Sequence, residues 1–385
     1  MMMQKKDEDT GKSGIKISKI CLGCMTFGER ESFTWLLNQE QTDEMVKRAL
    51  DLGINFFDTA NCYNNGTSEI YLGNAIKKYA KREDVVIATK VRLNEGGLSR
   101  EAILREIEGS LKRLQMDYVD LYIIHRWDYN TPIEETMGAL NELVQSGKVR
   151  ALGCSAMFSY QLYKAQECAR QHGWATFVSI QNHYNLVYRE EEREMIQLLE
   201  EEGVVMTPYS PLAGGRLARL WDADTERFKK DEFAKRKYDA DREIDLPVIN
   251  RVKEIADKHQ VTMGQVSMSW LLSRPLMAAP IVGVTKIKHL EDACKAVNLK
   301  LTEEENKYLE ELYVPHRVVV RRRRSKLPIS KETIEAPYAI LKRKAEPTIE
   351  ELDTIILSDK AYAMGFLKGK NQTFGMISQR LNNPG

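Results

Sequence analysis

Three short apolar stretches of this 385-residue chain each carry, near their ends, a side chain able to hold or move a proton. "INFFDTA" (54–60) holds Asp58, "VVIATKV" (85–91) holds Lys90, and "DLYIIHRWD" (120–128) holds His125. Tyr63 follows Asp58 by five positions, in the turn-prone run "NCYNNG". Singly, each has a structural explanation: a solvated loop lysine, a satisfied histidine, an aspartate capping a turn. Together they make a set that does chemistry. A buried lysine is costly unless paired, and Asp58 is the natural partner of Lys90. A cation beside a phenol favours the phenolate, so a lowered pKa is expected for Tyr63. Such a tyrosine gives a proton to a carbonyl oxygen and takes one back from an alcohol. His125 can hydrogen-bond the same oxygen. A proton donor alone does not reduce a carbonyl, so hydride must come from a cofactor.

Alternating elements must position these side chains. The pattern predicts strands at "IKISKICLGCM", "INFFDTA", "DVVIATKV", "YVDLYIIHR", "VRALGCSA", "FVSIQNHYN", "VVMTPYSP" and "AAPIVGVT". Helical spacing follows each, as in "NQEQTDEMVKRALDLG", "LSREAILREIEGSLKRL" with Ser99 as its cap, "EEEREMIQLLEEEG" and "LPVINRVKEIADKH". Short apolar strands alternating with helices imply a parallel sheet covered by helices. Eight units in about 280 residues fit a closed (β/α)8 TIM barrel. An open doubly wound sheet would want a glycine-rich phosphate turn after the first strand, and "CLGCMTFGE" is not one. In such barrels chemistry sits at the C-terminal strand ends, where Asp58, Lys90, His125, Ser155, Gln181, Asn182, Tyr209 and Ser210 all fall.

Composition narrows the function further. Basic and acidic residues number 57 and 56, so no overall field draws nucleic acid or membrane. No apolar run is long enough to span a bilayer, and "MMMQKKDEDTGKSG" lacks the apolar core of a secretion signal. The six cysteines are scattered, which suits reduced thiols in a cytoplasmic protein, and no metal cluster is expected. Residues 1–14 are expected to be a polar tail, 15–320 the barrel, and 321–385 a basic linker with a short C-terminal extension of helical periodicity. The run Arg321–Arg324 is read as a solvated linker rather than a nucleic-acid patch. The segment 213–243 shows no clear apolar face and is expected to be a mobile lid. Phe33, Trp35 and Trp127 are candidate walls of an apolar substrate pocket.

The set Asp58, Tyr63, Lys90 and His125 resembles the catalytic tetrad of the aldo-keto reductases. The motifs "LGCMTFGE", "NFFDTANCY", "ATKV", "IHRWDYNTPIEE", "GCSAM", "SIQNHYNLVYREEEREM", "PYSPLAGGRL" and "APIVGVTKIKHLED" lie in the family's order, from about Ile15 to Val319. The branch it resembles includes 1-deoxyxylulose-5-phosphate-forming and aryl-alcohol dehydrogenase-like members. The resemblance implies reduction of a small aldehyde or ketone by NADPH, with NADH also open and the oligomeric state undetermined. It implies that Ser155 and Gln181 hold the nicotinamide carboxamide and that Tyr209 stacks on its ring. Ser210, Leu212, Gly214 and Arg216 match the loop along the pyrophosphate, and Met25 and Thr26 the first loop near the ribose. Gly283, Thr285, Lys286, His289 and Asp292 match the adenosine end. Lys286 would supply a cation to the 2′-phosphate, whereas His289 stands where many members carry arginine or glutamine. Some barrels of the family are regulatory subunits that bind cofactor and turn over little, which is the alternative implied here.

Overall fold

Eight strands pair in parallel, each with its neighbour in the chain: β1 (Cys21–Gly23), β2 (Phe56–Asp58), β3 (Val86–Val91), β4 (Val119–Ile124), β5 (Val149–Ser155), β6 (Phe177–Gln181), β7 (Val205–Met206) and β8 (Ile281–Gly283). β8 returns to pair with β1. The ring closes through hydrogen bonds from Ala278 N to Met206 O (3.0 Å) and from Ile281 N to Pro208 O (2.9 Å). This is the (β/α)8 barrel expected from the alternation. The computed structural model describes residues 8–9, 11–29, 35–221 and 231–318. A second unit, Arg321–Gly385, lies outside the described residues, and with it the arginine run and the helical periodicity beyond.

Alternation along the strands divides the core in two. Cys21, Phe56, Val86, Ala88, Leu121, Ile123 and Ala151 point inward and pack together. Leu22, Phe57, Ile87, Tyr122, Ile124, Leu152 and Ile180 point outward, under the helices. Continuing the inward register by two residues reaches Asp58, Lys90 and His125, and by four from Ala151 reaches Ser155, so one face parity delivers all four to the mouth. Buried apolar side chains occupy the same positions lower down, which is why the polar ones stand out only at strand ends.

Several expectations need correction. Part of the presumed N-terminal tail is ordered: Glu8–Asp9 pairs antiparallel with Lys16–Ile17. Ile15 and Ile17 then join the inward core and close the barrel's base. The helix expected over 190–203 is broken, a 3-10 turn at Glu190–Arg193 followed by an α-helix at Met195–Glu202. Glu194 between them has φ −144°, outside the helical range. The helix expected from Leu246 starts at Arg242, with Pro247 inside it; proline's disfavour for a helical predecessor hid that start. The segment 213–243 has an apolar face after all. Its helix Glu232–Tyr238 buries Ala234 and Tyr238. Residues 222–230 of the expected lid lie outside the described residues.

The two helices after β2 and β3, Thr67–Tyr79 and Arg100–Leu114, meet at a glycine. A Cβ added at Gly73 would come 2.4 Å from the carbonyl oxygen of Leu114, an atom that cannot swing aside. Gly264, also helical, has its nearest such neighbour at 3.6 Å. Gly73→Ala is expected to destabilise the barrel by about 1–3 kcal/mol. Gly264→Ala should be neutral or stabilising by up to about 1 kcal/mol. Urea unfolding followed by circular dichroism compares the two; equal effects would contradict the packing argument.

Candidate active site

The turn after β2 is built by residue types that accept a left-handed backbone. Asn64, Asn65 and Gly66 have φ of 48°, 57° and 89°, conformations that asparagine tolerates and glycine adopts freely. The Asn64 amide donates to the carbonyls of Met25 (3.0 Å) and Phe27 (2.7 Å), tying this turn to the loop after β1. Tyr63 is thereby held over the mouth.

Lys90 is fully buried. Its ammonium donates to Asp58 Oδ1 (2.5 Å), to the Thr59 carbonyl (2.6 Å) and to the Tyr63 hydroxyl (3.3 Å). The other carboxylate oxygen of Asp58 accepts from Gln181 Nε2 at 2.8 Å. Ser155 Oγ donates to the Gln181 carbonyl at 2.7 Å, so β2, β3, β5 and β6 are joined through one polar network. His125 stands edge-on to Tyr63, with ring centroids 5.7 Å apart, and its Nδ1 lies 3.7 Å from the Cys62 sulfur.

The electrostatics differ from the sequence-based expectation at one point. Burial pushes the Tyr63 phenol up, to about 12, against the pull of Lys90. Lys90 cannot win because Asp58 has already neutralised its charge and itself raises the phenol. Burial also works against the charge of Lys90, but Asp58 and Tyr63 more than offset it and hold the ammonium above its usual value. His125 is pushed well below the usual histidine range by burial, then by Lys90, Arg126 and Arg92. The site at neutral pH therefore holds a neutral phenol, a neutral imidazole and a paired ammonium.

The residues expected to hold a cofactor lie at the same end of the barrel in two groups. Around the mouth, Tyr209 stacks on His183 at 5.4 Å, and Ser210 takes φ 57° with its carbonyl accepting from Asn185. Leu212 is packed against the core, and Gly214 takes φ 64° where a Cβ would meet Ala234 at 3.1 Å. Arg216 is buried, paired with Asp239 and set between Trp221 and Tyr238. Beyond β8, Gly283 is exposed with open space above it, Thr285 is half-buried, and Lys286 caps a helix, Ile287–Ala296, that carries His289 and Asp292. Thr26 Oγ1 joins this group to the β1 loop by donating to the Val284 carbonyl at 3.1 Å, while Met25 beside it is exposed. An aromatic ring, a glycine-lined loop and surface cations in that order fit a nicotinamide dinucleotide. Of the apolar pocket candidates, Trp35 and Trp127 are half-buried and Phe33 lies outside the described residues.

Sequence reasoning passed over several contributors. The Thr59 carbonyl is a backbone group, invisible to residue type. Asn64 had a signal, the Asn-Asn-Gly run, read only as a turn. Arg126 and Lys237 sit near Tyr209, with charged atoms 6.0 and 4.7 Å from its ring centroid. Lys237 was lost inside a segment that looked uniformly polar.

Residues 19–314 match the model of the aldo/keto reductase family. Versiconal hemiacetal acetate reductase of Aspergillus parasiticus is 42% identical over 331 residues, covering 79% of this chain and 96% of that protein. A Schizosaccharomyces pombe protein named as an aryl-alcohol dehydrogenase is 42% identical over 338 residues, covering 79% of this chain and 95% of its own. Among solved structures, a thermostable aldo-keto reductase crystallised with the inhibitor epalrestat superposes with TM-score 0.65 at 31% identity, covering 80% of this chain and 99% of that one. By motif order, barrel architecture and likeness over nearly the full length of these relatives, the chain belongs to the aldo/keto reductase family.

Proposed function

We propose that this oxidoreductase reduces a small aldehyde or ketone to the alcohol at the mouth of the barrel, with NADPH as reductant and Tyr63 as proton donor. The observation that supports this reading above all is the Tyr63 hydroxyl 3.3 Å from an ammonium that Asp58 holds in place. NADPH, which the Tyr209 ring and the loop through Ser210, Gly214 and Arg216 would hold, would supply hydride to the carbonyl carbon. The residues of the chain handle the oxygen. Tyr63, a neutral phenol, gives its proton to the oxygen as charge builds there. The tyrosinate left behind faces Lys90, whose charge steadies it until solvent returns the proton. His125, neutral, hydrogen-bonds the same oxygen and orients it. Gln181 braces Asp58 from β6, so the carboxylate cannot turn away from Lys90.

A phenol held protonated suits the reductive direction. The reverse reaction needs a tyrosinate to accept the alcohol proton, and burial opposes it. For the cofactor, Lys286 is an exposed cation at the adenosine end and supports NADPH over NADH. All six cysteines are free thiols, in keeping with a cytoplasmic protein. Among the described residues no helix is long and apolar enough to cross a membrane.

Three measurements test the reading. Tyr63→Phe should lower kcat for aldehyde reduction by about a hundredfold or more while cofactor affinity, read by fluorescence quenching, stays close to the parent's; equal turnover would exclude Tyr63 as the donor. Ultraviolet titration from pH 7 to 11 should give the same tyrosinate absorbance for parent and Tyr63→Phe, because a phenol pushed up to about 12 stays protonated throughout. A missing step in the variant below pH 10 would restore the lowered value first expected. Lys286→Ala should raise KM for NADPH about tenfold and leave KM for NADH nearly unchanged; parallel changes would remove Lys286 from the 2′-phosphate.

A further inference from the structure

Tyr209 has a histidine on one side and two cations about it. His183 stacks on the ring at 5.4 Å and 17°. Arg126, the residue after His125, brings its guanidinium carbon to 6.0 Å from the ring centroid. Lys237, from the helix Glu232–Tyr238, brings its ammonium to 4.7 Å. Arg126 Nη1 and Lys237 Nζ are both shielded from solvent and lack a hydrogen-bond partner among the described residues, the guanidinium of Arg126 being hydrogen-bonded otherwise to Tyr209. Contact with a ring face is weak compensation for a desolvated ammonium. Burial, and then the charge of Arg126, push Lys237 well below the usual lysine value, so its charge is costly unless an anion meets it. The acid that acts on Tyr209, Glu191, is hydrogen-bonded to Asn182 at 2.7 Å and makes no ion pair with either cation among the described residues.

Two half-buried side chains whose charged ends are shielded, sharing an aromatic floor and lacking an acid partner among the described residues, form half of an anion site. Its place in the fold says whose anion. Arg126 adjoins His125 in the chain, and His125 stands edge-on to Tyr63 at 5.7 Å. The charge of Arg126 acts on His125, so a group held by Arg126 is assigned to the molecule whose carbonyl lies at Tyr63. The loop matched to the pyrophosphate carries a separate cation, Arg216, already paired with Asp239.

We propose that Arg126 and Lys237 form an anion-binding subsite for the substrate, so that the protein selects carbonyl compounds bearing a carboxylate or phosphate. This rests on the reductase reading above. The helix Glu232–Tyr238 then acts in selection as well as cover, since its lysine completes the subsite.

The test compares 4-formylbenzoate with 4-methylbenzaldehyde, matched in size and differing in charge, by NADPH absorbance. The parent should favour 4-formylbenzoate in kcat/KM by about tenfold or more, and Arg126→Met or Lys237→Met should cut that ratio by about tenfold, mainly through KM. Arg126→Lys should recover part of it. A ratio is insensitive to the fraction of protein that folds. No preference in the parent, or an equal loss on both aldehydes, overturns the subsite. So does a rise in KM for NADPH with the ratio unchanged, which would give these cations to the cofactor's phosphates. A parent that reduces neither aldehyde sinks the reductase reading instead. The subsite is then judged by calorimetric binding of 4-formylbenzoate to the same proteins: about tenfold weaker binding to Arg126→Met supports it, and equal binding overturns it.

Discussion

A fully buried lysine sets the terms for the rest of the barrel mouth. Removing one partner of such a pair typically costs about 3–5 kcal/mol, because an uncompensated charge is left in a poor solvent. Asp58 answers it at 2.5 Å, and the Thr59 carbonyl takes a second ammonium proton. The free oxygen of Asp58 must in turn be satisfied, and Gln181 does so from the far side of the barrel. Ser155 then binds the backbone of Gln181. One desolvated charge thus joins four strands, and the tyrosine that faces it is positioned by the same network.

That network also explains why a simple charge argument fails for Tyr63. Proximity to a cation lowers a phenol only if the cation's field is still available. Here a carboxylate stands closer to Lys90 than the phenol does, and its own charge acts on Tyr63 in the opposite sense. With the two largely cancelled, burial decides. The consequence is a phenol that keeps its proton at neutral pH. In the proposed reaction Lys90 steadies the product of proton transfer rather than preparing its start.

Much of this was legible in the sequence, for a physical reason. Inward strand positions are apolar until the mouth, so a polar residue at a strand end is conspicuous, and Asp58, Lys90, His125 and Ser155 share one parity. The pairing of Asp58 with Lys90 followed from the cost of burying either alone. What stayed hidden has equally physical causes. The Glu8–Asp9 pairing with Lys16–Ile17 is a short local hairpin, and its charged residues carry little strand signal. Among the described side chains of the helix Glu232–Tyr238, Ala234 and Tyr238 are buried, four apart in a run otherwise rich in charge. Proline at position 247 argued for a helix start that tertiary packing overrode. Backbone acceptors such as the Thr59 carbonyl have no residue-type signal at all.

Cys62 lies between the tyrosine and the histidine of this site, half-buried, its sulfur 3.7 Å from His125 Nδ1. Burial raises its thiol above the ordinary cysteine value, outweighing the nearby Lys90. Since the thiolate is the nucleophile and the thiol is not, the sulfur is kept inert. An aldehyde is an electrophile, and a site that handles aldehydes exposes its own side chains to adduct formation at each encounter. The same desolvation that keeps the Tyr63 proton in place therefore disfavours addition of the Cys62 sulfur to the carbonyl of the proposed substrate.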